Sequence, residues 1–162
     1  MNRPANIVNT EDVAVTELAH ARFKYRRRML SAAAGGARLG CSLYEIAPGE
    51  SAFPFHYHWA NEEAIYVLDG TGTLRLGEHE VGIRAGDYVA IPPGPEHPHR
   101  LINSSDRTLK YLCFSTQIDP EVVVYPDSNK VAIAVGPPRK RIFAGVYRME
   151  SGVDYYDREP DA

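Results

Sequence analysis

The segment His56-Tyr57-His58-Trp59-Ala60-Asn61-Glu62-Glu63 sets two imidazoles two residues apart and a carboxylate, Glu63, five residues after the second. Further along, Pro92-Pro93-Gly94-Pro95-Glu96 leads into His97 and His99, so these two short stretches hold four of the chain's six histidines. Imidazole nitrogens and a carboxylate oxygen together suit one divalent ion such as Zn, Fe, Mn or Ni. Such an ion polarises oxygen groups as a Lewis acid, or brings bound water toward a pKa of about 7 in the zinc case.

The chemistry requires that the fold bring these side chains together. Residues i and i+2 of a β-strand point to the same face. Pro54 excludes a helix interior here, and Phe53, Phe55, Tyr57 and Trp59 suit a pleated surface. His56 and His58 therefore project to one side. Glu63 opens the apolar run Ala64-Ile65-Tyr66-Val67-Leu68, which stops at Asp69-Gly70, a hairpin signal. All three side chains can reach one point.

These residues resemble the cupins, a family of small β-barrel proteins with a metal site. The family's first motif has a glycine, then His-x-His, a glutamate and a further glycine. Here Gly49, His56, His58, Glu63 and Gly70 fill those places, with one extra residue between Gly49 and His56. In the second motif Gly86, Pro92 and Gly94 match. Counting forward from Gly94 selects His97 as its histidine, whereas counting back from Asn103 selects His99. His99 is preferred, because it opens a strand that continues through Leu101, while His97 sits between Glu96 and Pro98 in a loop. The resemblance spans about residues 38–116 and implies an all-β fold, a single jelly-roll barrel (double-stranded β-helix) with N- and C-terminal extensions. It implies one divalent metal ion on His56, His58, Glu63 and His99, its identity open, with Glu62 or His97 as neighbouring candidates for proton transfer.

The rest of the chain fits a barrel. Runs at 38–47, 53–58, 63–69, 72–76, 79–83, 87–91, 99–102 and 108–115 read as strands, separated by Gly, Pro, Asn and Asp signals. Two further apolar runs lie at 122–125 and 131–135, and a tail from Arg139 carries another at 142–146. Residues 1–37 read as an N-terminal arm, and 117–162 as strands and a tail packed on the barrel. Within the arm, 10–18 reads as a short helix capped by Asn9 or Thr10, 24–28 as a solvated basic strand or loop, with binding of a phosphate or another anion as the alternative, and 31–36 as a flexible linker. His20 and His79 read as surface histidines, the latter in a turn. Cys41 and Cys113 read as buried, reduced thiols.

With 162 residues, 44% hydrophobic and 24% charged, the chain is sized for one soluble domain. A net charge of −3 gives no reason to expect nucleic acid. The expected location is the cytoplasm: no apolar run is long enough to span a membrane, and the first residues lack a signal-peptide core. A metal centre inside an apolar and aromatic barrel suits a small organic molecule. Family resemblance implies a metal-dependent enzyme on a small oxygen-rich substrate, with a sugar or sugar-phosphate isomerase leading. A dioxygenase, a decarboxylase, or a non-catalytic small-molecule binder or sensor are the alternatives. Apolar residues in the arms and outward-facing Tyr66 and Leu68 lead to the expectation of a two-fold homodimer, with the N-terminal arm, and in one version the tail from Arg139 too, packed on a partner's sheet.

Overall fold

Frequent glycine and proline breaks divide the chain into short strands. The computed structural model describes residues 3–138 and 140–160, so the first residue of the tail, Arg139, lies outside the described residues. The strands are β1 (Val15–His20), β2 (Phe23–Met29), β3 (Leu39–Ile46), β4 (Tyr57–His58), β5 (Glu63–Asp69), β6 (Thr71–Leu76) and β7 (His79–Arg84). They continue with β8 (Tyr88–Ile91), β9 (His99–Ile102), β10 (Leu109–Thr116), β11 (Glu121–Tyr125), β12 (Lys130–Val135) and β13 (Phe143–Arg148). One short helix, α1, covers Leu30–Ala33. This is the all-β jelly-roll architecture that the motifs imply.

One sheet has the order β1-β2-β3-β10-β5-β8. Opposite it, β7-β6-β9 is linked by the bridges Ser51↔Ile102 and His56↔His99 to the segment leading into β4, which continues as β4-β11-β12-β13. Every named pairing is antiparallel. Between the layers lies a core to which both contribute: Tyr44, Ile46, Ile65, Val67, Leu74, Ile91, Leu101, Leu109 and Tyr111 are all buried. On β5, Ile65 and Val67 point inward while Tyr66 and Leu68 are exposed, so strand alternation turns Glu63 to the interior. At the end of the same strand Gly70 has φ +85, and a Cβ there would meet the Thr108 carbonyl at 2.8 Å. The β5–β6 hairpin thus needs glycine.

The arms depart from the sequence expectation. Only Thr10–Asp12 form a helical turn, of 3-10 type, with the Asn9 side chain accepting from the Glu11 N–H. Beyond it, β-branched Val15 and Thr16 open β1, because pairing with β2 gives one side of its backbone hydrogen-bond partners from Val15 to His20. The basic stretch is β2, hydrogen-bonded to β3, so residues 15–29 extend this chain's own sheet. The expected linker at 31–36 instead includes α1, and Ser31 Oγ accepts from the Cys41 N–H at 3.1 Å. The expected strand at 53–58 narrows to β4, because Ala52 and Phe55 are drawn into the interior instead of alternating. His79 is the first residue of β7 and is exposed, as is His20.

Candidate metal centre

Three separate backbone devices aim the side chains of the centre. The His56↔His99 bridge, with N–H···O distances of 3.1 and 2.8 Å, sets two histidine backbones against each other across the second layer. β4 carries His58, and β11 holds β4 in place through Val123↔His58. β5 presents Glu63 from the facing sheet. As a result one ligand atom from each of His56, His58, Glu63 and His99 lies within 4.8 Å of the other three.

Hydrogen bonds at the outer nitrogens orient two of the rings. His56 Nδ1 lies 2.8 Å from the Pro54 carbonyl and His99 Nδ1 lies 3.2 Å from the His97 carbonyl. An N–H donated there leaves the Nε2 lone pair of each ring directed at the centre. His58 differs. Both of its ring nitrogens are buried and lack a hydrogen-bond partner among the described residues. Glu63 Oε2 stands 3.5 Å from its Nε2, and Glu121 Oε2 stands 3.8 Å from its Nδ1. These are ion-pair distances, beyond ordinary hydrogen-bond reach. A buried imidazole with unpaired nitrogens, facing a carboxylate and two more imidazoles, is a donor set that a divalent cation would complete.

Electrostatics divide the cluster into unlike partners. Burial, reinforced by the neighbouring His99 and His58, lowers His56 to about 3, so its ring is neutral. At His58 burial opposes charge, but the carboxylates of Glu121 and Glu63 outweigh it and raise the group to about 9. Burial alone would raise Glu63; the facing His58 and His99 rings instead hold it well below the usual carboxylate range. Without an ion, then, Glu63 is ionised and His58 carries the compensating proton. A cation must displace that proton to use the His58 nitrogen. Metal uptake at pH 7 is therefore expected to release about one proton per ion, and affinity should weaken roughly tenfold for each pH unit below about 9. Calorimetric titration of metal in buffers of different ionisation enthalpy measures this. A binding heat independent of buffer would contradict it.

Glu121 was not picked out by the sequence, since nothing local distinguishes a glutamate that begins a valine run. It is buried. Its carboxylate accepts the Ala60 and Asn61 backbone N–H groups at 3.3 and 3.1 Å, and also the Asn61 side-chain amide. Glu121 thus braces the loop between His58 and Glu63 while facing the back of the His58 ring. Glu121→Gln keeps the volume but removes the charge. It is expected to lower metal affinity about 10- to 100-fold, as loss of a partner behind a metal-binding histidine does. A competition titration with a chromogenic chelator measures it, and an unchanged affinity would reduce Glu121 to a loop brace.

The remaining candidates fall outside the cluster. Glu62 is exposed, because strand alternation turns it away from the face on which Glu63 sits. Its backbone N–H donates to Thr116 Oγ1 at 3.0 Å. His97 is half-buried with an Nδ1 that has no partner among the described residues, and it belongs to the turn before β9. Cys113 Sγ lies 3.9 Å from Glu63 Oε1. Burial, then the Glu63 carboxylate, push this thiol well above its ordinary value, so it is protonated. Both cysteines are free. A cavity of about 30 Å³ beside His56, Glu63, His99 and Cys113 has room for one or two waters.

Comparison with known proteins agrees with this geometry. The cupin domain model (Cupin_2) matches residues 42–115. An uncharacterized protein of Methanocaldococcus jannaschii is 36% identical over 70 residues, 43% of this chain. The quercetin 2,3-dioxygenase of Bacillus subtilis is 34% identical over 94 residues, 56% of this chain. These matches span 54% and 28% of the two relatives' own lengths. Among solved structures, a provisionally named sugar phosphate isomerase from Acidithiobacillus ferrooxidans superposes with a TM-score of 0.80 at 25% identity, covering 93% of this chain and 96% of that one. Its agreement extends over the arms as well as the barrel. Residues 42–115 match the cupin domain family and the structural likeness agrees, so the chain carries a single small cupin domain.

Proposed function

We propose that this protein is a metal-dependent enzyme that isomerises a small oxygen-rich molecule, a sugar or sugar phosphate. The observation carrying the proposal is the convergence of His56, His58, Glu63 and His99 in the interior of a barrel. Similarity to the Acidithiobacillus protein across nearly the whole of both chains favours the sugar-phosphate class. When bound, the ion supplies a Lewis acid for adjacent substrate oxygens. The chain's own residues would do the rest. His56, neutral at physiological pH, and His99 present lone pairs; Glu63 supplies the negative charge; the apolar wall of Ala52, Ile65 and Leu101 restricts water beside them to one or two molecules. Of the two proton-transfer candidates, His97 is retained, since its Nδ1 is buried and unpartnered while Glu62 faces outward.

Identity to the Bacillus dioxygenase favours a second reading, oxygenation of a small organic molecule at the same centre. Metal-reconstituted protein should be assayed for interconversion of aldose and ketose phosphates while dissolved oxygen is followed with an electrode. Sugar interconversion without oxygen uptake is the expected result. Oxygen uptake with a flavonol and no isomerisation would replace the first reading by the second, and metal binding without either turnover would leave a binding module.

Among the described residues no helix is long and apolar enough to cross a membrane. We propose, further, that the protein is a two-fold homodimer. Because β1 and β2 are taken up by the chain's own β3, the exposed edge strand β13, with Phe143, Val146 and Tyr147, is the better candidate surface. Light scattering should then give twice the chain mass of 18.0 kDa. The single-chain mass would refute the dimer.

A further inference from the structure

The three consecutive arginines of β2 have different surroundings, and the difference identifies a ligand group. Register pairs Arg26 with Glu45, Arg27 with Tyr44 and Arg28 with Leu43. The outer two are neutralised: Arg26 and Arg28 reach Glu45 Oε2 at 3.3 and 3.2 Å, and Arg26 also reaches Glu17 at 3.1 Å. Alternation turns Arg27 the other way, toward the interior, on the face that carries Tyr25 and the buried Tyr44. Among the described residues it forms no ion pair, and its Nε is buried without a hydrogen-bond partner. Its guanidinium carbon lies 6.0 Å from the Tyr25 ring centroid, a weak cation–π contact, and the Tyr44 hydroxyl neighbours the group; together they use only part of its five donors.

Arg27 lines a cavity of about 280 Å³ that also takes in Tyr44, Cys41, Gln117, Cys113 and Glu63. That volume lies near the lower end of the range for small-molecule sites, ~300–1,000 Å³. Among the described residues Glu63 is the one carboxylate on its wall, and His58 and His99 already face it at 3.5 and 3.3 Å. The cavity therefore joins the metal centre at one point to a fixed, uncompensated positive charge at another. A half-buried guanidinium with free donors is costly unless something anionic completes it, and its planar fork matches phosphate and carboxylate oxygens.

We infer that Arg27 is the anchor for an anionic head group, so that the substrate is a short polyol bearing a phosphate or carboxylate, whose uncharged oxygens reach the His–Glu cluster. This rests on reading that cluster as the reactive centre. Residues of the N-terminal arm thereby become part of the substrate site.

The test compares ribose 5-phosphate, ribonate and ribose as calorimetric ligands of the metal-loaded and metal-free protein, for the wild type, Arg27→Gln and Arg27→Lys. Metal content is measured on every sample. The wild type should bind at least one charged ligand about tenfold or more tightly than ribose. Whichever charged form is tighter names the head group. Arg27→Gln should lose that preference while holding its metal, and Arg27→Lys should keep part of it, since it retains charge without the fork. Ribose binding as tightly as both charged forms, binding of none of the three, or unchanged preference in Arg27→Gln would each overturn the inference. The wild-type comparison decides even if a variant fails to fold. Arg27-dependent binding in a protein that takes up no metal would keep the inference and reject the metal centre. Full metal content without Arg27 dependence would do the reverse.

Discussion

Replacing His99 with alanine is expected to abolish stable metal binding. Losing a partner behind a metal-binding histidine already costs about 10- to 100-fold in affinity, and losing the imidazole itself should cost more. The ring is buried, it supplies an Nε2 3.3 Å from Glu63 Oε2, and nothing else on β9 can replace it. Elemental analysis of protein purified without chelator reads the outcome directly. Thermal melting reads it a second way. An ion at a hundredfold excess over its dissociation constant stabilises the fold by about 2.7 kcal/mol, which for a domain of this size is roughly 5–10 °C. Chelator should lower the melting temperature of the wild type by about that amount without unfolding it at room temperature, because the core around Val67, Leu109 and Tyr111 is independent of the ion. The His99→Ala protein should show no shift. The matched control is His97→Ala, which should keep both the ion and the shift. If the two variants exchange these behaviours, the second motif has been counted from the wrong end.

Asn103→Ala should produce the largest loss of stability outside the centre. Asn103 is fully buried, and its amide donates to the Ile46 and Arg107 carbonyls at 2.8 and 2.7 Å. Its Oδ1 accepts from the Ser105 N–H and hydroxyl at 3.0 and 2.8 Å. Alanine removes this partner from the Ile46 carbonyl in the buried interior and from Ser105 in the turn after β9, where the Arg107 carbonyl keeps the Ser105 hydroxyl. Each orphaned group costs about 1–3 kcal/mol, so a total of about 3–4 kcal/mol is expected. That is roughly a 6–16 °C fall in melting temperature. Because the turn anchors the end of β9, at the Thr73↔Ile102 pair with β6, metal affinity should weaken as well. A loss below about 1 kcal/mol in denaturant titration would show that the freed groups find other partners.

The amino-acid pattern by itself determined the barrel and the composition of the cluster. Those features depend on local rules: a strand presents i and i+2 on one face, Asp-Gly closes a hairpin, and alternation along β5 separates Glu63, Ile65 and Val67 from Tyr66 and Leu68. The preference for His99 over His97 rested on the same kind of rule, a strand against a loop, and it is His99 that the structure brings beside Glu63. Only the tertiary structure decided the rest, because the partners are remote in the chain. Glu121 faces His58 through the pairing of β11 with β4. Residues 15–18 become strand because β2 is there to pair with them, a gain that local helix propensity cannot anticipate. Arg26, Arg27 and Arg28 read alike as letters. Glu45, across the strand from them, takes the outer two, and the cavity beside Glu63 receives the third. Charge is a property of the residue, but whether that charge is spent or available depends on which side of a sheet it lies.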